Sequence, residues 1–429
     1  VEKKKFIISD YLEENVNDSL FKNTTMQTNN TSYILNPQQK AAVMEKKPFP
    51  QQVNYPGIIK PNHVTQKILN NAVENYYNYW KKKYLKNDLV SLPGGYYVKG
   101  EITGDAEGFS PLGTSEGQGY GMIITVLMAG YDSNAQVTYN GLFKTVKSFK
   151  SSVNSNLMGW IITDSKEAQG HFPSATDGDL DIAYSLLLAH NQWGSEGLIN
   201  YLREAQYMIE GIKESNITSN IRLNLGDWDS KSTFNTRSSD WMMSHFRAFY
   251  EFTGDPIWLN LINNLYSIYI QYINKYSQNT GLISDFIVKN PPQPAPKRFL
   301  NESNYTDAYN YNASRVPFRI IMDYAMYGEK RSKVISDKIV TWIQNKTNGN
   351  PTKIIDGYQL NGENIGNYPT AVFVSSFISA GVSNSNNQDW INKGWEWMKN
   401  KQESYFSDSY NLLNMLFITG NWWKPEIVK

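Results

Sequence analysis

Residues 174–193 read SATDGDLDIAYSLLLAHNQW. Three aspartates, Asp177, Asp179 and Asp181, alternate at the start, and a nearly unbroken apolar run follows. Acidic residues in a first turn complement the positive end of the helix dipole. A helix that is apolar on most of its faces must be buried on most of them. The stretch therefore predicts an inner helix, surrounded by other helices, with carboxylates gathered at its N-terminus. A calcium loop of the EF-hand type is excluded, because it needs glycine at its sixth position and glutamate at its twelfth.

Outward from this stretch the same pattern recurs. A first helix is expected from His63 onward in VTQKILNNAVENYYNYWKKKYL, with apolar residues at spacings of three and four. Further starts fall near residues 115, 138, 178, 196, 240, 255, 314, 331, 369, 387 and 407, about twelve helices in all, with no strong alternating strands between them. Every second one ends alike, in LMAGYD, LLAHNQWG, FYEFTGD, DYAMYGE, FISAGVS and FITGNW, where a small residue or glycine suits a C-terminal cap. Six helical hairpins closed into a ring, an all-α (α/α)6 barrel with the apolar even-numbered helices inside, account for this pattern. Residues 1–60, polar and proline-bearing without a sustained period, read as an extended leader, and residues 61–429 as a single domain.

In such a ring the N-termini of the inner helices converge at one end. Ser115 and Glu116, Asp177 and Asp179, Asp240 and Trp241, Asn312 and Arg315, Tyr368, and Asp408 and Tyr410 all stand at those termini. Each alone is an ordinary helix cap. Together they make a polar cleft.

Composition narrows the function. The 41 basic and 40 acidic residues of this 429-residue chain leave a net charge of +1, so no global field steers it to nucleic acid or an anionic membrane. Without cysteine there is no disulfide, thiolate chemistry or Cys-ligated zinc. No apolar run is long enough to span a bilayer. Aromatic residues make up 14%, which suits flat surfaces for sugar rings as well as a large core. Secretion without a retained signal peptide, and a monomer, are expected.

TSEGQGYGM, residues 114–122, places Glu116 in a first turn with Gly117, Gly119 and Gly121 behind it. Each helical glycine costs roughly 1 kcal/mol relative to alanine, so three imply that something approaches the backbone closely. The segment lacks the spacing of a nucleotide loop. If Asp177 lies beside Glu116, two neighbouring acids raise the pKa of one of them, and a glutamic acid kept protonated can donate to a leaving oxygen.

TSEGQGYGM and ATDGDLDIAYSLLLAHNQW resemble the two signature segments of glycoside hydrolase family 8, inverting endoglycosidases that include endoglucanases, xylanases, lichenases and chitosanases. The resemblance continues through RSSDWMMSHFRAF, YNYNASRVPFR, DGYQLNGENIGNYPTAVF and YFSDSYNLLNMLFITGNWW, over roughly residues 60 to 425. It implies an (α/α)6 barrel, Glu116 as general acid and Asp177 as the carboxylate holding the sugar at the cleavage subsite. Tyr311 and Arg315 are implied to order that subsite. No metal or organic cofactor is implied.

Where many members carry Tyr-Asp-Ala-x-Arg-x-Pro, with the aspartate as general base, this chain reads Tyr311, Asn312, Ala313, Ser314, Arg315, Val316, Pro317. An amide cannot accept the proton, though it can hydrogen-bond a sugar or water. The subgroup of the family that includes the chitosanases lacks this aspartate and uses a glutamate from a longer preceding loop. Here that loop is SDFIVKNPPQPAPKRFLNESNYTDAYNYN, and Glu302 is its one glutamate; Asp307 is the competing carboxylate. Trp160 and Trp228, in polar loops, are expected to stack on sugar, with core packing as the alternative. Asp105, Glu107, Asp179, Asp227, Asp229 and Asp240 are expected near the cleft, where carboxylates would meet the ammonium groups of chitosan. The expected partner is thus a polysaccharide, chitosan with β-glucan as a further substrate. Cellulose or xylan stands second, and an inactive carbohydrate-binding protein is the reading from another class.

Overall fold

The computed structural model describes residues 44–427. Twelve α-helices lie among them: α1 (Gln66–Tyr84), α2 (Ser115–Leu127), α3 (Ala135–Ser148), α4 (Thr176–Trp193), α5 (Tyr201–Ser215), α6 (Met243–Thr253), α7 (Ile257–Tyr276), α8 (Val316–Tyr327), α9 (Lys330–Thr347), α10 (Ala371–Ala380), α11 (Gln388–Met398) and α12 (Tyr405–Ile418). Seven short strands sit in the connections: β1 (Leu85–Lys86), β2 (Tyr97–Val98), β3 (Gly113–Thr114), β4 (Ile161–Ile162), β5 (Thr236–Arg237), β6 (Phe286–Val288) and β7 (Gln293–Pro294).

Helices α2, α4, α6, α8, α10 and α12 pack in sequence, and α12 returns to α2, closing an inner ring. Their sequences explain the choice: every residue of α10 is buried, whereas α5 and α11 bury one stripe each. Five hairpins pair an inner helix with the outer helix that follows it, α2 with α3 through α10 with α11. The sixth pair is α12 with α1, the last helix against the first, so the ring is closed by the two ends of the domain. Asp408 anchors that closure, accepting from the Tyr79 and Tyr84 hydroxyls at 2.6 Å each and from Tyr76 at 3.3 Å. It is fully buried, so it belongs to the closure and not to a cleft.

The helix-end glycines act as expected: Gly254 and Gly328 cap α6 and α8 in the left-handed conformation, at φ 68° and 72°. The glycines of α2 make room for close packing. A Cβ on Gly119 would lie 2.6 Å from Cβ of Asp181, and one on Gly121 2.5 Å from a methyl of Val98. What approaches the backbone is the adjacent inner helix and β2, not a ligand.

Residues 44–60, the described part of the expected leader, cross the barrel end opposite the inner N-termini. Their backbone amides bond Gln192 O, Ala129 O, Gly420 O and Val382 O, carbonyls at the C-terminal ends of α4, α2, α12 and α10. The segment thus supplies donors to carbonyls the helices leave unpaired. Residues 1–43 lie outside the described residues.

Candidate active site

The strand pair β3–β4, in register Gly113↔Ile162 and Thr114↔Ile161, delivers the chain to α2. Thr114 caps the helix, its Oγ1 accepting from the Gly117 amide at 3.2 Å. Glu116, in the first turn, is then held from two sides: Tyr405 Oη, at the start of α12, donates to Oε1 at 2.8 Å, and Arg315 Nη1 donates to Oε2 at 3.1 Å. Burial raises the Glu116 pKa above the ordinary glutamate value, and the negative charge of Asp177 raises it further; Arg315 and Tyr405 oppose both.

Asp177 stands in the first turn of α4 with its side chain 6% exposed, and the same Arg315 Nη1 lies 3.7 Å from its Oδ2. Arg237 Nη1 approaches that oxygen to 3.9 Å. The expected pairing of Glu116 with Asp177 is therefore present, and the guanidinium between them tempers it.

Arg315 reaches on to the opening of the base position. Its Nη2 donates to Asn312 Oδ1 at 3.1 Å, and Asn312 Nδ2 donates to Glu302 Oε2 at 2.8 Å. Glu302 Oε1 faces Arg237 Nη2 at 3.9 Å, and the carboxyl is 37% exposed. Asp307 is placed elsewhere, with Lys297 as its ion-pair partner at 3.4 Å. Asp285, which the sequence reading did not single out, organises the segment from below. It accepts from the backbone amides of Asn310, Asn312 and Ala313 and from Asn312 Nδ2. Burial pushes its pKa up to about 7.

The loop that carries Glu302 begins in a three-stranded sheet, β5–β6–β7, and the proline-bearing stretch after it turns back through Arg298, Leu300 and Asn301, all at positive φ of 55–57°. For arginine and leucine this is uncommon backbone. It is pinned by Thr306, buried, whose Oγ1 accepts from the Phe299 amide and donates to Pro296 O.

Aromatic rings border this end of the barrel. Trp160 is 39% exposed, and its carbonyl accepts from the Ser115 amide at 3.1 Å, beside the acid; Trp228 is 51% exposed. The core alternative is therefore set aside for both. Tyr311 is exposed, with its hydroxyl on Asp356 at 2.7 Å, and Tyr368 is exposed nearby.

Several expectations need correction. Asp179 is fully buried, bonded by Asn216 Nδ2 at 3.3 Å and the Met158 amide at 3.4 Å, so it fastens α4 to its neighbours and does not line the cleft as a sugar contact. Asp227 is buried on Ser151, the Asn154 amide and the Ser174 amide, a structural pin. Trp241 and Tyr410, expected at the cleft, are core residues. Of the six carboxylates expected to meet ammonium groups, Asp179, Asp227 and Asp240 are buried; Asp105, Glu107 and Asp229 reach solvent, and Glu107 is paired with His171 at 2.7 Å. Arg237, Tyr405 and Asp285 were missed: Arg237 and Tyr405 lie at the edges of recognisable segments, but nothing in their spacing marks them. Among the described residues no group of acidic and histidine side chains could hold a metal, and no helix is long and apolar enough to cross a membrane.

The profile of glycosyl hydrolases family 8 matches residues 58–420. The chain belongs to this family. As a family 8 glycoside hydrolase it is 75% identical over 398 residues to an endoglucanase of Bacillus sp. (strain KSM-330), covering 92% of this chain and 86% of that protein. It is 41% identical over 399 residues to a beta-glucanase of Niallia circulans, covering 91% and 95%. The structure of a beta-1,3-1,4-glucanase from Paenibacillus sp. X4 superimposes with a TM-score of 0.82 at 43% identity, covering 88% of this chain and 99% of that one. The family 8 fold agrees with the ring of twelve helices.

Proposed function

We propose that this family 8 glycoside hydrolase is an inverting endo-β-glucanase acting on β-1,3-1,4-glucan, with Glu116 as general acid and Glu302 as general base. The observation that carries the mechanism is the contact of Glu302 with Asn312. A carboxylate from the long loop stands 2.8 Å from the amide that occupies the usual base position. The side chains of Arg315 and Asn312 bridge Glu116 and Glu302, so the two carboxyls are joined through intervening groups and not directly, in keeping with an inverting pair, which leaves room for a water.

In this reading the substrate's glycosidic oxygen lies against Glu116, whose raised pKa keeps a proton available for the leaving group. Glu302 takes a proton from water on the opposite face of the sugar while Asn312 orients the carboxylate. Asp177, beside Arg315 and Arg237, accepts from sugar hydroxyls at the cleavage subsite. Trp160, Trp228 and Tyr311 offer flat faces to neighbouring rings. Asn312 in the base position no longer argues for an inactive binding protein, because Glu302 stands against it.

Glucan is favoured over chitosan on two grounds. The relatives at 75% and 41% identity are an endoglucanase and a beta-glucanase, and the structurally similar enzyme at 43% identity is a beta-1,3-1,4-glucanase. The carboxylates thought to suit a polycation are half buried in structural roles. An insoluble or high-polymer glucan cannot enter a cell, so the enzyme would act outside it, as a monomer. The test is release of reducing ends from barley β-glucan, carboxymethyl cellulose, xylan and soluble chitosan in parallel. β-Glucan should be cleaved fastest, and a higher kcat/KM on chitosan would overturn the substrate assignment.

A further inference from the structure

Arg237 and Asp240 lie on neighbouring elements, the end of β5 and the single 3-10 turn Ser238–Asp240 that follows it. In β5 Arg237 pairs with Phe286 of β6, and its guanidinium sits 5.3 Å from the centre of that ring, which fixes its direction. Its two terminal nitrogens reach different carboxylates, Nη1 toward Asp177 and Nη2 toward Glu302, each at 3.9 Å. Asp240 is 1% exposed. Two atoms here are buried with no hydrogen-bond partner, Arg237 Nε and Asp240 Oδ1, one a donor and one an acceptor. A buried donor and a buried acceptor left unpaired each cost free energy unless they serve one another, directly or through a water.

We propose that Arg237 is the positioning residue that holds Glu302 over the cleft, and that Asp240 is the buried carboxyl that holds Arg237 in turn. The inference rests on Glu302 being the base.

Charge counting supports it. Three carboxyls, Glu116, Asp177 and Glu302, face two guanidiniums, Arg237 and Arg315, at 3.1–3.9 Å, with Asp240 buried on the adjoining turn; Arg319 is neutralised by Asp181 at 2.7 Å. Three carboxyls against two guanidiniums approach neutrality when one of the acids carries a proton. Burial raises the pKa of Glu116, and burial likewise raises that of Asp240 to about 7, against the pull of Arg237, Arg315 and Arg319 and with the push of Asp177. Asp240 contributes most among the acids to keeping Arg237 charged, ahead of Asp177 and Glu302.

The test is the pH profile of kcat/KM on barley β-glucan for Arg237→Met, Arg237→Lys, Asp240→Leu, Asp240→Asn and the double variant Arg237→Met/Asp240→Leu, with thermal melting to show that each is folded. Arg237→Met should lower kcat at least tenfold with KM within about threefold, and move the acidic limb to higher pH, because Glu302 loses a neighbouring cation. Arg237→Lys should leave the acidic limb near its original position while lowering kcat, since one ammonium cannot span two carboxylates. Asp240→Leu should fall with Arg237→Met, Asp240→Asn should lose less, and the double variant should be no worse than Arg237→Met alone. An unchanged acidic limb in Arg237→Met, a loss confined to KM, or additive losses in the double variant would overturn the proposal. Glu302→Gln, assayed alongside, separates the two readings: if it stays active, the base assignment fails; if it is inactive while Arg237→Met is normal, only the positioning pair fails.

Discussion

The side-chain amide of Asn312 donates to Oε2 of Glu302 at 2.8 Å, across ten residues of chain. The same amide group accepts from Arg315 through its oxygen, and Arg315 donates onward to Glu116. One asparagine thus joins the two carboxyls proposed as acid and base. Five expectations follow from this arrangement and its surroundings.

Glu116→Gln should lower kcat on β-glucan by at least about a thousandfold, in the range expected when a general acid is removed. KM should change little. An aryl β-glucoside oligomer with a good leaving group needs less protonation and should retain far more of its rate, measured as phenol release.

Glu302→Gln should be comparably inactive, and added azide should restore turnover by replacing the water that needs a base. The product should be a glycosyl azide of inverted configuration, read by proton NMR. Asp307→Asn should retain activity within about threefold, because Asp307 is engaged with Lys297 away from the cleft. The opposite ranking of the two variants would move the base to Asp307.

Tyr405→Phe should shift the alkaline limb of kcat/KM to higher pH. The Tyr405 hydroxyl donates to Glu116 at 2.8 Å and stabilises its ionised form. Without that donor the acid holds its proton to higher pH, and the limb that reports its deprotonation moves upward. A downward shift would contradict the assignment of Glu116.

Trp160→Ala and Trp228→Ala should each raise KM on polymeric β-glucan about tenfold, roughly 1.4 kcal/mol of lost binding. Both rings are exposed, so melting temperatures should stay close to the parent's. Shortened oligosaccharides that do not reach a given tryptophan should be indifferent to its loss.

Thermal stability should fall as pH rises from about 5 to 8. Asp240 and Asp285 have folded-state pKa values raised by burial to about 7 from an ordinary 3.8. Their contribution is fully present below the unfolded value and is lost as pH climbs through the folded one. His245, lowered by burial to about 4, acts in the opposite sense and mainly below pH 6.5. Calorimetry on Asp240→Asn should show a shallower decline than the parent; an equal or steeper slope would contradict the raised value.

Much of the fold was legible because it depends on local periodicity. Helix starts expected near 115, 178 and 407 fall at 115, 176 and 405, since each is announced by polar caps before an apolar run. The start expected near 138 lies at Ala135 and that near 240 at Met243; a 3-10 turn, Ser238–Asp240, takes the place of the latter's first turn. Pairing was less legible. That α12 closes against α1 depends on Asp408 meeting three tyrosines of a helix more than 300 residues away, which no local pattern encodes.

The candidate site divides in the same way. Glu116, Asp177 and Arg315 could be singled out because their segments carry a family resemblance, and Glu302 because the amide at 312 leaves the usual base position without a carboxylate. Asp179 and Asp227 were misread for a physical reason: an aspartate at a helix start looks the same in sequence whether it faces a cleft or accepts buried amides. Arg237, Tyr405 and Asp285 act through contacts made only when distant loops meet, and the sequence alone does not mark them.

By itself, then, the sequence determined that inner helices with acidic N-termini would form a ring, and that position 312 carries an amide, which cannot accept a proton. The tertiary structure decided which acids face water and which are spent on packing. It also decided where Glu302 stands, because side chains contributed by α2, α4, α12, the turn before α8 and two loops meet in one cluster. Proton positions in such a cluster depend on distances between groups far apart in the chain, and those distances exist only once the ring has closed.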